Sequence, residues 1–150
     1  MQNDRPIQEF SLQLTTELES LEDLLEWFEK IALEYLGDRA YWQCQLALTE
    51  GFTNAVRHAH ENLPPTTPID LKILLFPRSL EIQVWDCGQP FDLEAELRSR
   101  LAEKAYKLDG NLTELAEGGR GLVWMSELMD DLSYIRTANR QNCLVLRKYW

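Results

Sequence analysis

The sequence is short of what several large function classes require. It has three cysteines (Cys44, Cys87, Cys143), an odd number with no C-x-x-C spacing. That argues against a disulfide framework or a structural zinc site and fits free thiols in a reducing compartment. No apolar run approaches the length of a membrane span, and the opening MQNDRPIQEF has no apolar targeting core. A cytoplasmic protein is expected. Positive charge is scarce: 15 Lys and Arg stand against 25 Asp and Glu, for a net charge of -10. Nucleic acid and anionic membranes are poor partners for such a surface. Only seven glycines are present, yet three of them fall in one stretch, Gly118-Gly119-Arg120-Gly121.

What is present suits one α+β domain. With 150 residues, 45% of them hydrophobic, the chain can bury a real core. Residues 1–7 read as a loose end. From Phe10 the residues alternate, with Phe10, Leu12 and Leu14 facing inward, as in a half-buried strand. Ser20 and Asp23 resemble a capping box opening a helix, with Leu24, Phe28 and Ile31 on its inner stripe. Glu22, Asp23, Glu26, Glu29 and Glu34 form its solvated face, and Gly37 is expected to cap its end. A second helix is expected from about Tyr41 to His60, broken by Pro64, Pro65 and Pro68. Ile69–Phe76 and Leu80–Trp85 read as a hairpin around Pro77-Arg78-Ser79. Leu93–Leu108 has helical composition with an untidy apolar stripe. Leu122–Met129 has helical spacing, and Leu132–Arg136 and Cys143–Tyr149 read as closing strands. Grouped helices and late consecutive strands suggest a mixed, mostly antiparallel sheet with helices on one face.

Three stretches could carry chemistry. On the second helix, Glu50, Asn54 and His58 recur every four residues and share one polar stripe. An amide oxygen is a hard ligand suited to Mg²⁺, and a carboxylate one turn earlier could accept a proton. Alone, this stripe equally describes the wet face of an amphipathic helix. Asp86-Cys87-Gly88 closes an apolar strand, where an aspartate can accept from an exocyclic amine and a glycine lets a flat ring lie close. Alone, it is also a plain turn. Gly118-Gly119-Arg120-Gly121 runs into a helix, so its backbone N–H groups could face phosphate oxygens, with Arg120 as a charged donor. It lacks the lysine and spacing of a P-loop and does not follow a strand as a Rossmann fingerprint does.

Taken together and in this order, LTEGFTNAVRHAH, IQVWDCGQPFD and EGGRGLVWMSELMDDLSY resemble the N, G1 and G2 boxes of the GHKL ATPase superfamily. Length and order make the chain similar to the small anti-sigma factor serine/threonine kinases of the RsbW and SpoIIAB kind. The resemblance implies a Bergerat fold, a two-layer sandwich with ATP held between helix and sheet. It implies Asn54 as the Mg²⁺ ligand, Glu50 as the residue that activates the attacking hydroxyl, and Asp86 with Gly88 as the adenine site. It further implies that Gly119 and Gly121 end an ATP lid spanning Gln89–Glu117, with Gly118 beside them in the nucleotide site. Arg57, His58 and Arg120 are the candidates for phosphate contact. His60 is expected at the surface, and Trp85 and Phe91 in packing roles. Pro90 stands where many relatives place a glycine. The implied activity is phosphorylation of a STAS-type anti-anti-sigma partner, with a sigma factor as second partner and a homodimer as the assembly. The rival reading is a binding module that uses nucleotide without phosphoryl transfer.

Overall fold

The computed structural model describes residues 5–107 and 120–150. The order of elements is β1 (Gln8–Thr15), α1 (Leu21–Ala32), α2 (Asp38–Asn54), β2 (Pro68–Phe76), β3 (Ser79–Asp86), α3 (Leu93–Lys107), α4 (Arg120–Leu128), β4 (Asp131–Arg136) and β5 (Asn142–Tyr149). The five strands form one sheet in the order β1-β2-β3-β5-β4. Among the described residues every pairing is antiparallel, so the expected α+β sandwich is realised with an antiparallel rather than a mixed sheet.

Alternation in the strands decides which face is covered. Leu71, Ile73 and Leu75 of β2 stand opposite Val84, Ile82 and Leu80 of β3, and all six are buried. Leu144 and Leu146 of β5 extend this apolar surface. Leu24, Phe28 and Ile31 of α1, Leu48 and Phe52 of α2, Met125 of α4 and Met129 just after it join the same core. The opposite face of the sheet carries polar pairs. Lys72 lies 5.7 Å over the Trp85 ring, and Glu81 pairs with Arg147. Trp85 therefore packs on the outer face, away from the helices.

Local details depart from the expected helix ends. Ser20 does not cap α1: its backbone is already helical, closing a 3₁₀ turn over Leu18–Ser20, and its hydroxyl sits 3.4 Å from that of Thr15. Gly37 does not end α1, which stops at Ala32. It is instead the extended N-cap residue of α2, so that helix begins at Asp38 rather than near Tyr41. The end of α2 also has an unexpected form. Ala55–Ala59 continue it as a π-helical turn, with the His60 N–H donating to the Ala55 carbonyl at 2.9 Å. Widened turns of this kind are common beside functional sites.

Among the described residues, no helix is long and apolar enough to cross a membrane.

Candidate functional site

The end of α2, the end of β3 and the start of β5 meet at one edge of the sandwich. Gly51 permits the approach of helix to sheet. A Cβ there would already be 3.4 Å from both the Leu144 and Val84 side chains. Gly88 permits a tighter one. A Cβ on Gly88 would lie 2.7 Å from the Ala59 carbonyl carbon and closer still to its oxygen. The glycine in this turn is therefore required by the backbone of the helix end.

Between these elements lies a cavity of about 330 Å³. Asn54 and His58 line it from α2 and its π turn, and Asp86 from the end of β3. Val84, Leu122, Met125 and Leu144 make its walls largely apolar, while Phe91 and Tyr134 stand at its mouth with ring centroids 4.6 Å apart. Small-molecule sites have this character: apolar walls with a few convergent polar groups. Glu96 and Arg100 of α3 also reach the cavity, 3.7 Å from one another, and neither had been picked out from sequence.

Asp86 is buried and held in one orientation. Its Oδ1 accepts from the Gly88 N–H at 2.9 Å and from Asn142 Nδ2 at 2.8 Å. The same Asn142 amide donates to the Gly88 carbonyl at 2.8 Å. Arg136 adds a bond from Nη1 to that carbonyl at 3.1 Å and another to Asn142 Oδ1 at 3.0 Å. Both contacts to the Asp86 carboxylate thus fall on one oxygen. No buried side-chain polar atom among the described residues lacks a partner, so Oδ2 is not sealed in and opens to the cavity. It remains an acceptor for an incoming donor.

His60 corrects the sequence reading outright. It is only 2% exposed, because the π turn carries it inward beneath the Asp86-Cys87-Gly88 turn. Thr16 Oγ1 donates to the Thr67 carbonyl at 2.6 Å, which commits its proton, and so it accepts from His60 Nδ1–H at 2.8 Å. Nε2 is left with its lone pair and accepts the Cys87 N–H at 2.8 Å. Burial holds the imidazole pKa below its ordinary 6.5, partly opposed by the Asp86 charge.

The remaining sequence candidates divide. Glu50 sits half-buried one turn before Asn54 on α2 but is not part of the cavity wall. Arg57 is exposed and points elsewhere, whereas His58 reaches the cavity. Arg120 and Gly121 open α4, in agreement with a glycine stretch that leads into a helix. Gly118 and Gly119, and the latter part of the proposed lid, lie outside the described residues.

The donor set can be tested against Mg²⁺ and ATP. Among the described residues no three His, Cys, Asp or Glu side chains converge as a protein metal cage would require. Mg²⁺ bound with nucleotide needs no such cage, since phosphate and water supply most of its oxygens and one amide oxygen suffices from the protein. Asn54 at the cavity wall fits that role. The open Asp86 Oδ2 within apolar walls fits an adenine amine.

Comparison with known proteins agrees with this geometry. Over 89 residues the chain is 35% identical to the serine-protein kinase RsbW of Staphylococcus epidermidis, covering 59% of this chain and 54% of that protein. It is 33% identical over 88 residues to the protein of the same name from Bacillus licheniformis, covering 59% and 53% respectively. It is 32% identical over 89 residues to that of Staphylococcus aureus, covering 59% and 54%. The match thus spans about half the length of these relatives. The model of the histidine kinase-like ATPase domain matches residues 14–148, nearly the whole of the sequence. With helix, strand end and glycine turn arranged around one cavity, the chain belongs to the histidine kinase-like ATPase domain family.

Proposed function

We propose that the protein is an ATP- and Mg²⁺-dependent serine/threonine kinase of the anti-sigma type. The observation that carries the reading is the state of Asp86. Its Oδ1 is occupied by Gly88 and Asn142, and its Oδ2 opens into a largely apolar cavity that Asn54 also lines. Kinship with serine-protein kinases supports phosphoryl transfer as the use of that cavity.

In this reading Asp86 Oδ2 accepts a hydrogen bond from the adenine amine. Val84, Leu144 and Met125 keep water from the faces of the base. Asn54 holds Mg²⁺ through its amide oxygen, and the ion neutralises charge on the phosphates when bound. His58 and Arg100, which also reach the cavity, would meet phosphate or ribose oxygens. Glu50, one helical turn before Asn54, accepts the proton of the substrate serine as its oxygen attacks the γ-phosphorus and ADP leaves. Such chemistry needs mainly positioning and charge neutralisation, so few side chains suffice. The segment from Gln89 to Glu117 serves as the lid over the nucleotide. The substrate is a STAS-type anti-anti-sigma protein, the second partner is a sigma factor, and the working unit is a homodimer in the cytoplasm.

A second reading has its own observation: Glu50 does not line the cavity. A binding module that holds nucleotide and a protein partner would need no acid there. Incubation with labelled ATP, Mg²⁺ and a STAS-domain protein separates the two. Label on the partner with wild type, lost in Glu50→Ala and in Asn54→Ala, supports the kinase. Tight ATP binding without transfer supports the module. Absence of ATP binding, or an affinity unchanged by Asp86→Asn, overturns both.

A further inference from the structure

We propose that His60 is a positioning residue for nucleotide binding, a neutral imidazole that fixes the base-binding turn by accepting the Cys87 N–H, and that it makes nucleotide affinity fall in mild acid. This inference rests on the adenine reading of Asp86.

The argument begins with location. Cys87 lies between Asp86 and Gly88, so its amide is the one backbone donor of this turn that points toward the helix end, and His60 Nε2 receives it at 2.8 Å. From the other side the turn is held by Asn142 and Arg136. The two sets of bonds grip opposite edges of the same three residues. Without the His60 contact, the Cys87 amide would lose the acceptor that ties it to the helix end. The Asp86 carboxylate would be anchored from the β5 side alone.

The tautomer is fixed by a relay. Thr67 C=O takes the Thr16 hydroxyl proton, Thr16 Oγ1 takes the His60 Nδ1 proton, and Nε2 is therefore an acceptor. Thr16 follows β1 directly and Thr67 precedes β2, so the imidazole is oriented by the far edge of the sheet. A proton added at Nε2 turns the acceptor into a donor facing another donor, and the contact to Cys87 is lost. Burial opposes that protonation, and the charged group acting on His60 among the described residues is Asp86, which favours it. The groups bonded to the ring are neutral: the Thr16 hydroxyl from the end of β1 and the Cys87 amide from the end of β3. The protonated form is accordingly one in which the turn has moved.

The test compares wild type with His60→Gln and His60→Ala. Glutamine can place a carbonyl oxygen near the Nε2 position and does not titrate in this range. Equilibrium binding of ADP is followed from pH 7.5 to 5.5, and the amide signal of Cys87 is followed by NMR over the same range without nucleotide. For wild type the affinity should fall in acid relative to His60→Gln, toward a limit of about fivefold to tenfold, the scale of one lost hydrogen bond. Taking the ratio removes titration of the nucleotide itself. His60→Gln should match wild type at pH 7.5 within about twofold and stay flat, and the Cys87 amide should titrate in wild type alone. His60→Ala should bind weakly at every pH while keeping its circular dichroism spectrum. If His60→Ala cannot be folded, the comparison with His60→Gln decides. Equal pH profiles in wild type and His60→Gln, with Asp86→Asn still impairing binding, would overturn the role of His60 alone. ADP binding that is absent, or indifferent to Asp86→Asn, would overturn the adenine reading and this inference with it.

Discussion

Asn142 and Asp86 face each other across the β3–β5 pairing, and the Asn142 amide nitrogen lies 2.8 Å from Asp86 Oδ1. Asn142 is fully buried, and through one nitrogen it serves both the carboxylate and the Gly88 carbonyl. Asn142→Ala removes both bonds and leaves buried acceptors short of a donor. The expected loss is about 1–3 kcal/mol of stability in urea unfolding, with a weaker affinity for ADP. Asn142→Asp should be worse, because it sets a carboxylate against a carboxylate. An alanine variant as stable as wild type would show that the contact carries no weight.

Gly88 gives a second prediction. The Ala59 carbonyl group occupies the space a Cβ would need, and it belongs to helix backbone that cannot swing aside. Gly88→Ala should cost about 2 kcal/mol or more, read as a lower urea midpoint. Gly37→Ala is the control. Nothing lies within 4 Å of its Cβ position, and a cost of about 1 kcal/mol or less is expected from its place as an N-cap. Equal effects at the two positions would contradict the close approach.

The pH dependence of stability follows from His60. Its folded-state pKa is held below the ordinary 6.5, first by burial, with Asp86 acting in the opposite sense. The unfolded chain therefore binds the proton more readily. The stability contributed by neutral His60 is complete above about pH 6.5 and is lost as the pH falls through its folded pKa. Urea titrations of wild type should weaken between pH 7 and 5.5 more than those of His60→Gln. Parallel curves would rule this linkage out.

The three thiols should differ in reactivity. Cys87 is exposed, whereas Cys44 and Cys143 are buried. Burial, as the leading cause, pushes both buried thiols up to about 12, so thiolate is scarce at neutral pH. At pH 8 an alkylating reagent should label Cys87 first and spare the other two until denaturant is added. Mass spectrometry of tryptic peptides reads the outcome. Prompt labelling of Cys44 in native protein would contradict its place in the core.

The sheet and its covering helices were legible because alternation and helical spacing are local. Leu80, Ile82 and Val84 announce their inner face without help from the rest of the chain, and so does the stripe of Leu24, Phe28 and Ile31. Asn54, His58 and Asp86 were also legible, since the motif order brings them together. Arg136 and Asn142 were not. Their value depends on the register that sets them beside Gly88 and Asp86, and a strand pattern does not state which residue it will face. His60 was misplaced for a different reason. A helical wheel assumes 3.6 residues per turn, and the π turn at Ala55–Ala59 breaks that assumption just before it. Gly37 was misjudged because a glycine between helices fits the end of one as well as the start of the next, and here the first helix had already stopped at Ala32.

The sheet order has a consequence for how the molecule comes into being. Asp86 receives its buried donor from Asn142, the first residue of the last strand. The helix end and the β3 turn are made long before that residue leaves the ribosome. Until β5 slides in between β3 and β4, the cavity lacks the Leu144 wall and Asp86 its anchor. A nascent chain therefore has no finished cavity until Asn142 and Leu144 have emerged. Completion of the cavity thus waits on a long-range pairing, that of Ser79–Asp86 with Asn142–Tyr149.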